Sequence, residues 1–148
     1  MCGIAGIYYF DRKTEKDNVN QTIEELLLSL SHRGPDDMGK VIYNSFGMGM
    51  TRLSIIDLDK GHQPIFDAEN RYSIVFNGEI YNYQLLRENL YKEGIKFKTQ
   101  SDTEVILLGY LKKGVSFLDS LEGMFSFVIY DSHEHKLFMA RDRLGKKP

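Results

Sequence analysis

The decisive stretch of the sequence is residues 2–10, CGIAGIYYF, which opens with the only cysteine of the chain. After Cys2 the run is apolar, β-branched and aromatic, and a polar stretch over residues 11–18 interrupts it. A short apolar run bounded by polar residues predicts a buried strand followed by a loop. Cys2 therefore stands at the start of a predicted strand.

The composition is that of one compact domain. The 148 residues are 42% hydrophobic and carry a net charge of −2, so we expect no basic surface for a nucleic acid. No apolar run is long enough to cross a membrane, and the N-terminus lacks a secretory signal. A single cysteine can form neither an internal disulfide nor a thiolate metal cluster. These features predict a cytoplasmic domain that binds neither nucleic acid, nor membrane, nor metal.

Three helices are predicted downstream of the first strand. Residues 20–31 have an amphipathic pattern, with a capping box that begins at Thr22. Residues 83–93 and 103–113 are each followed by a glycine suited to a left-handed helix end, and Ser101 opens another capping box before the second of them.

Strand patterns occupy much of the remaining sequence. Residues 40–56 contain short apolar stretches separated by glycines, which favours strands joined by tight turns. Residues 72–76 form the clearest strand and run into Asn77-Gly78, a pair typical of a sharp turn. Residues 124–130 and 136–141 flank a polar loop and predict an antiparallel hairpin. The order of strands, then helices, then strands indicates an α+β layered domain.

Cys2 directly follows Met1, and methionine aminopeptidase removes an initiator methionine before a small residue. Processing would place the thiol beside a free α-amine. Because the amine titrates near ~8 and a thiol near ~8.5, the amine can accept the thiol proton close to neutral pH. The alternative is that Cys2 is a small buried hydrophobic residue at the start of a strand.

The first residues, MCGIAGI, resemble the opening of class II glutamine amidotransferases, which are N-terminal nucleophile hydrolases. Further segments fit the same family in the same order: residues 32–36 (HRGPD), 51–57 (TRLSIID), 75–82 (VFNGEIYN), 101–104 (SDTE), 121–125 (LEGMF) and 141–145 (RDRLG). The last two look like a hairpin of the asparagine synthetase branch. The resemblance covers essentially the whole chain.

This resemblance implies a four-layer αββα sandwich of two antiparallel sheets. It also implies hydrolysis of L-glutamine through a Cys2 thioester, with the ammonia supplied to a synthetase domain that converts aspartate to asparagine. We expect no cofactor in residues 1–148, and ATP and Mg²⁺ in a C-terminal synthetase domain of the same polypeptide. The chain is therefore expected to be the glutaminase part of a longer enzyme. Whether it forms a homodimer is left open.

Glutamine presents a carboxylate and an ammonium, so its site needs a cation and an anion. The guanidinium of Arg52 can bind a carboxylate through two parallel hydrogen bonds, as the matching arginine of the family does. By the same resemblance Asp102 pairs with the ammonium, helped by Gly78 and Glu79. The alternative for Asp102 is a helix cap or first-turn anion.

An oxyanion hole is predicted from the Asn77 side-chain amide and the Gly78 backbone N–H. Without the other motifs, Asn77-Gly78 is typical of an ordinary hairpin turn. The resemblance adds backbone groups of Leu53 and Ile55 to the pocket and gives Arg33 a supporting role near the nucleophile.

The mechanism needs neither a metal nor a histidine. The four histidines are assigned no catalytic role, and the two in the hairpin loop, His133 and His135, are expected in solvent.

Two alternatives to the asparagine synthetase interpretation stay open. The same glutaminase chemistry could feed a different acceptor, or the chain could be a non-catalytic glutamine-binding module if Met1 is retained and the nitrogen of Cys2 stays in a peptide bond.

Overall fold

The computed structural model of the chain describes residues 2–10, 13–53 and 61–148. Among these residues no helix is long and apolar enough to span a bilayer. The elements are, in chain order, β1 (Gly3–Tyr8), α1 (Lys16–Ser29), a 3₁₀ turn (Ser31–Arg33), β2 (Asp37–Ile42), β3 (Phe46–Arg52), β4 (Ile65–Phe66), β5 (Tyr72–Ile80), α2 (Tyr83–Lys92), α3 (Asp102–Lys113), a second 3₁₀ segment (Gly114–Ser120), β6 (Gly123–Asp131) and β7 (Lys136–Arg141).

The first sheet is antiparallel, with β3 between β1 and β2. Gly3 of β1 lies opposite Thr51 of β3, and Asp37 of β2 lies opposite Arg52. This register places the beginnings of β1 and β2 beside the end of β3. Cys2, one residue before β1, is thereby brought to the same edge of the sheet as Arg52.

Helix α1 covers the outer face of this sheet with Val19, Ile23 and Leu27, which are fully buried. A Cβ on Gly47 would lie 2.7 Å from the side chain of Ile23, and one on Gly49 would lie 2.8 Å from that of Leu27. Both glycines lie inside β3, where the lack of a side chain lets the helix pack directly on the strand. The prediction that they mark tight turns is therefore wrong.

The second sheet contains four antiparallel strands in the order β4-β5-β6-β7. β5 and β6 pair along their whole nine-residue length, from Tyr72 opposite Asp131 to Ile80 opposite Gly123. β6 and β7 form the hairpin that the sequence predicted.

Helices α2 and α3 cover the outer face of the second sheet. Leu90 of α2 and Leu107 of α3 are buried in one cluster with Ile74 and Phe76 of β5 and Phe127 of β6. Ile74 and Phe76 face the helices and Val75 between them faces the first sheet, because every second residue of a strand points to the same side.

Both helices end at their predicted glycines. Gly94 and Gly114 have φ angles of 89° and 66°, which glycine adopts without steric cost. The Ser101 side chain accepts a hydrogen bond from the Glu104 N–H at 3.2 Å, so the predicted cap of α3 is confirmed.

The inner faces of the two sheets enclose a second apolar cluster. Phe46, Met48 and Met50 of β3 meet Val75 of β5 and Tyr130 of β6. The layers therefore follow the order α1, first sheet, second sheet, and α2 with α3. This confirms the predicted α+β class and its four-layer αββα sandwich.

Helix α1 begins earlier than predicted, at Lys16 and not at residue 20. Glu15 occupies the N-cap position, and Thr22 lies inside the helix. The Thr22 hydroxyl donates to the Asn18 carbonyl at 2.9 Å. The predicted capping box at Thr22 is wrong because the hydroxyl bonds one turn back along the helix and not to its first amides.

β5 continues straight through Asn77 and Gly78, so the sharp turn predicted there is wrong. Asn77 pairs with Ser126 and Gly78 with Phe125 in the ladder to β6. This long ladder overrides the local turn preference of the pair. Residues 54–56, the end of the stretch that was predicted to contain strands, lie outside the described residues, and Leu53 follows β3 without regular structure.

Candidate active site

A cavity of about 270 Å³ lies at the edge of the inter-sheet cluster, beside the start of β1 and the end of β3. Seven of the residues that the sequence predicted for catalysis or binding line it: Cys2, Arg52, Leu53, Asn77, Gly78, Glu79 and Asp102. Ile55, the remaining predicted contact, lies outside the described residues. Both sheets and α3 thus contribute predicted residues to one cavity.

The thiol of Cys2 lies half-buried at the cavity wall, beside Leu53. The Leu53 N–H donates to the Cys2 Sγ at 3.4 Å, and the thiol lies 3.7 Å from the Leu53 carbonyl, to which it can donate. Arg33 Nε donates to the Cys2 carbonyl at 3.2 Å. These contacts hold Cys2, which precedes β1, against the end of β3.

Arg52 is the last residue of β3, and its side chain is 4% exposed. It lies two residues beyond Met50, so its side chain continues the inward-facing row of the strand and reaches the cavity. The Arg52 carbonyl accepts from the Asp36 N–H at 3.0 Å, which ties the loop before β2 to this strand end. A buried guanidinium presents a planar fork of donors that fits a carboxylate.

The side chain of Asn77 is 2% exposed and lines the same cavity. Its Nδ2 makes no hydrogen bond to any residue that the structure describes. A buried donor without an acceptor costs about 1–3 kcal/mol, so such a group is retained where it serves a purpose. Asn77 therefore presents an amide N–H to the cavity.

Gly78 follows Asn77 and leaves no room for a side chain. A Cβ at this position would lie 2.2 Å from the Met124 carbonyl and 2.7 Å from the Phe125 Cα. Glycine is required here because β6 approaches closely. At this position the cavity is lined by backbone atoms without a side chain, so a small molecule can contact the backbone directly.

Asp102 begins α3 and is 4% exposed. Its Oδ2 accepts from the Ile80 N–H at 3.2 Å, which joins the helix start to the end of β5. Burial raises the pKa of Asp102 from 3.8 to about 6, and the nearby charge of Glu79 adds to the rise, against the backbone hydrogen bonds that lower it. A cation placed beside this carboxyl would favour its ionised form.

Sequence reasoning missed Gln63, Thr103 and Lys147, which also line the cavity. Gln63 is 8% exposed and Lys147 is 6% exposed, although neither belongs to a helix or strand. No periodic pattern marks Gln63 or Lys147, but each precedes a proline, which restricts the backbone of the preceding residue. A polar residue directly before a proline was therefore the available signal for both positions.

None of the histidines that the structure describes lines this cavity. His62 Nδ1 lies 2.7 Å from Asp37 Oδ2 on the surface. His135 is exposed, as predicted, and contacts the Tyr130 hydroxyl at 3.0 Å. Within residues 2–10, 13–53 and 61–148, no group of three or more His, Cys, Asp or Glu side chains is placed to hold a metal.

The cavity combines the groups that a zwitterionic amino acid with a side-chain amide requires. Arg52 carries a guanidinium that can pair with a carboxylate, and Asp102 carries a carboxyl that can pair with an ammonium. The Cys2 thiol can act as a nucleophile, and the Asn77 amide offers an N–H that can donate to an oxyanion. This arrangement is suited to acyl transfer from an amide.

The chain is similar in sequence to glutamine-hydrolysing asparagine synthetases. The chain is 40% identical to the glutamine-hydrolysing asparagine synthetase 1 of Bacillus subtilis over 148 residues, all of this chain and 23% of that protein. It is 41% identical to the glutamine-hydrolysing asparagine synthetase B of Escherichia coli, over all of this chain and 26% of that protein. The chain thus spans about a quarter of the length of these relatives.

A solved structure shows the same fold. The glutamine phosphoribosylpyrophosphate amidotransferase of Bacillus subtilis superposes with a TM-score of 0.82 at 22% identity, covering all of this chain and 38% of that one. The αββα sandwich of this chain is therefore also the fold of that amidotransferase. Since the family model described as a glutamine amidotransferase domain matches residues 1–148, the chain belongs to that family and is a class II domain of the asparagine synthetase type.

Proposed function

We propose that this domain hydrolyses L-glutamine to glutamate and ammonia through a Cys2 thioester. The ammonia then serves an ATP-dependent synthetase domain that converts aspartate to asparagine. The observation that carries the proposal is the single cavity in which a cysteine thiol, a buried guanidinium, a buried carboxyl and a buried amide donor meet.

Glutamine binds through its two charged ends. Arg52 pairs with the α-carboxylate in a bidentate hydrogen bond, and Asp102 pairs with the α-ammonium with Glu79 nearby. Binding lowers the pKa of Asp102 from its raised value, because the ammonium stabilises the carboxylate. Backbone groups of Leu53 and Ile55 complete the contacts in this proposal.

The first half of the reaction transfers the acyl group to sulfur. After removal of Met1, the α-amine of Cys2 accepts the thiol proton, and Sγ attacks the amide carbon of glutamine. The Asn77 side-chain amide and the Gly78 N–H stabilise the tetrahedral oxyanion. The amine returns the proton to the departing nitrogen, so that the C–N bond breaks, ammonia leaves and a γ-glutamyl thioester remains.

The second half returns the enzyme to its starting state. The same amine, neutral once more, takes a proton from water as the water attacks the thioester carbon. The C–S bond then breaks, glutamate leaves and the thiol recovers its proton. Nucleophile and base therefore belong to the same residue throughout the cycle.

The ammonia acceptor lies outside this domain. The relatives are named glutamine-hydrolysing asparagine synthetases, and this chain corresponds to only about a quarter of their length. We place the partner in a C-terminal synthetase domain of the same polypeptide, which would bind ATP, Mg²⁺ and aspartate. We also place the enzyme in the cytoplasm.

The proposal is tested by measuring both products. The chain with Cys2 as its first residue should release ammonia and glutamate in equal amounts from L-glutamine. D-glutamine is the control, since it cannot present its ammonium, carboxylate and amide to the same three groups. Binding of L-glutamine without release of either product would support a non-catalytic glutamine-binding module.

A further inference from the structure

Gln63 is buried between β5, which carries Asn77, and α3, which begins with Asp102. Its Oε1 accepts from the Phe76 N–H at 2.7 Å, and its Nε2 donates to the Phe76 carbonyl at 3.3 Å. The same Nε2 donates to the Thr103 hydroxyl at 3.2 Å. Phe76 directly precedes Asn77, and Thr103 directly follows Asp102.

The amide of Gln63 substitutes for a missing rung of the second sheet. β4 pairs with β5 from Phe66 opposite Ser73 to Ile65 opposite Ile74. The Asp67 N–H donates to the Tyr72 carbonyl at 3.1 Å, so every second residue of β5 from Tyr72 to Phe76 turns its backbone groups toward β4, and a continued ladder would bring the backbone of Gln63 to Phe76. The side-chain amide instead exchanges two hydrogen bonds with Phe76, as a strand backbone would.

The segment that carries Gln63 is itself held against the first sheet. A Cβ on Gly39 of β2 would lie 1.7 Å from the Gln63 carbonyl, so the two backbones are in direct contact. Gln63 therefore links the first sheet, β5 and the start of α3. An amide is suited to this position, because it offers one acceptor and two donors in one plane.

We propose that Gln63 is a positioning residue that sets the span between Asn77 and Asp102 and thereby selects the length of the substrate. This inference rests on the proposed function. In that function Asp102 binds the α-ammonium and Asn77 binds the side-chain oxyanion, so the distance between them must match the number of methylene groups of the amino acid. Glutamine fits this span, and asparagine is one methylene too short.

The test compares Gln63→Met with Gln21→Met. Methionine keeps the length of the side chain but removes all three hydrogen bonds of Gln63, whereas Gln21 lies exposed on α1 and bonds only Glu25 among the described residues. Gln63→Met should raise the KM for glutamine. It should also reduce the ratio of kcat/KM for glutamine to that for asparagine by at least about tenfold, since one methylene is worth about 10–200-fold in a well-fitted pocket. Gln21→Met should leave KM and this ratio unchanged.

A purely structural role gives a different result. Partial unfolding reduces the active fraction, so kcat would fall by the same factor for both substrates while KM and the selectivity ratio stay constant. That outcome, or unchanged kinetics, overturns the proposal. If Gln63→Met does not fold, Gln63→Glu serves instead, since it keeps the bond from the Phe76 N–H but has no donor for the Phe76 carbonyl; the same loss of selectivity is expected.

An NMR measurement separates this inference from the proposed function. The side-chain amide resonances of Asn77 should move in Gln63→Met and stay in place in Gln21→Met. If the unsubstituted protein releases no ammonia while the Asn77 resonances do move, the glutaminase assignment fails and the positioning of Asn77 by Gln63 stands. If the resonances stay in place in an active protein, only the role of Gln63 fails.

Discussion

The space between the two sheets has two unlike ends. At one end Tyr8, Phe46 and Tyr130 close it with aromatic rings, and the Phe46 and Tyr130 centroids are 4.2 Å apart. At the other end Cys2 and Arg52 line a cavity. The same strands, β1 and β3, run from one end to the other.

The inward-facing residues of β3 change in character from one end of this space to the other. Along β3 the inward-facing residues are Phe46, Met48 and Met50 before the row ends at Arg52. A site can therefore be made where a regular strand exchanges an apolar inward residue for a polar one. Such buried polar groups cost stability, whereas the aromatic end supplies it.

The largest effect on glutamine hydrolysis is expected at the nucleophile. Cys2→Ala removes the only thiol of the chain. Ammonia release should fall below detection, while circular dichroism and the unfolding temperature stay close to those of the parent protein, because the residue is only half-buried. Full turnover by Cys2→Ala would refute the mechanism.

Removal of the oxyanion donor should have the next largest effect. Asn77→Ala is expected to lower kcat about a hundredfold to a thousandfold with a small change in KM, since the donor acts mainly in the transition state. Steady-state kinetics measure kcat and KM separately. Asn89→Ala, an exposed position on α2, is the matched control and should leave both constants unchanged.

Arg52 and Arg71 provide a direct comparison between a site arginine and a structural one. Arg52→Ala should raise the KM for glutamine by a factor that corresponds to at least about 2 kcal/mol, because the substrate carboxylate loses its partner. Arg71 makes two hydrogen bonds to Asp131, at 2.9 and 2.6 Å, outside the cavity wall. Arg71→Ala should lower the unfolding temperature and leave KM unchanged. Equal KM values for both variants would contradict the assignment of Arg52.

Asp102, which lines the cavity, should make glutamine hydrolysis depend on pH. Because its pKa in the free protein is raised to about 6, kcat/KM for glutamine should fall about tenfold per pH unit below pH 6, as the carboxylate becomes protonated and loses its charge. Asp102→Asn should remove this limb of the profile. A pH profile that is the same in both proteins would exclude Asp102 from binding.

The same pKa shift predicts a stability effect with a defined sign. Burial disfavours the charged carboxyl in the folded protein, so the penalty is complete above pH 6 and disappears as the pH falls below 3.8. Asp102→Asn should therefore raise the free energy of unfolding by up to about 3 kcal/mol at pH 8, and the gain should vanish near pH 3. Denaturant titrations at the two pH values measure the difference.

The aromatic end should show the smallest effect on chemistry. Phe46→Ala is expected to lower the free energy of unfolding by about 3–5 kcal/mol, since Phe46 is 3% exposed in the inter-sheet cluster. The KM of the folded protein should change less than about twofold, because no substrate contact is lost. Phe10→Ala is the control, as Phe10 is 89% exposed. A large KM change in Phe46→Ala would show that the two ends are coupled.

Much of the fold was predictable because its signals are local. Gly94 and Gly114 end helices, Ser101 caps α3, and the hairpin of β6 and β7 follows from two apolar runs around a polar loop. The residues predicted for the site were found through sequence motifs, and those that the structure describes share one cavity.

The errors came from contacts between residues distant in sequence. Asn77-Gly78 favours a turn locally, but pairing with β6 extends the strand through it. Gly47 and Gly49 mark the packing of α1 on β3, which a linear pattern cannot show. Gln63 was missed because its partners, Phe76 and Thr103, are 13 and 40 residues away.

In the proposed mechanism the thiol and the α-amine of Cys2 act together as nucleophile and base. The most direct test treats two forms of the protein, one beginning at Cys2 and one retaining Met1, with a glutamine-like electrophile and locates the adduct by tandem mass spectrometry. We expect an adduct on Cys2 that forms at least about a hundredfold faster in the form with the free amine, since that amine is the proposed general base. Equal labelling rates in the two forms, or an adduct on another residue, would contradict it.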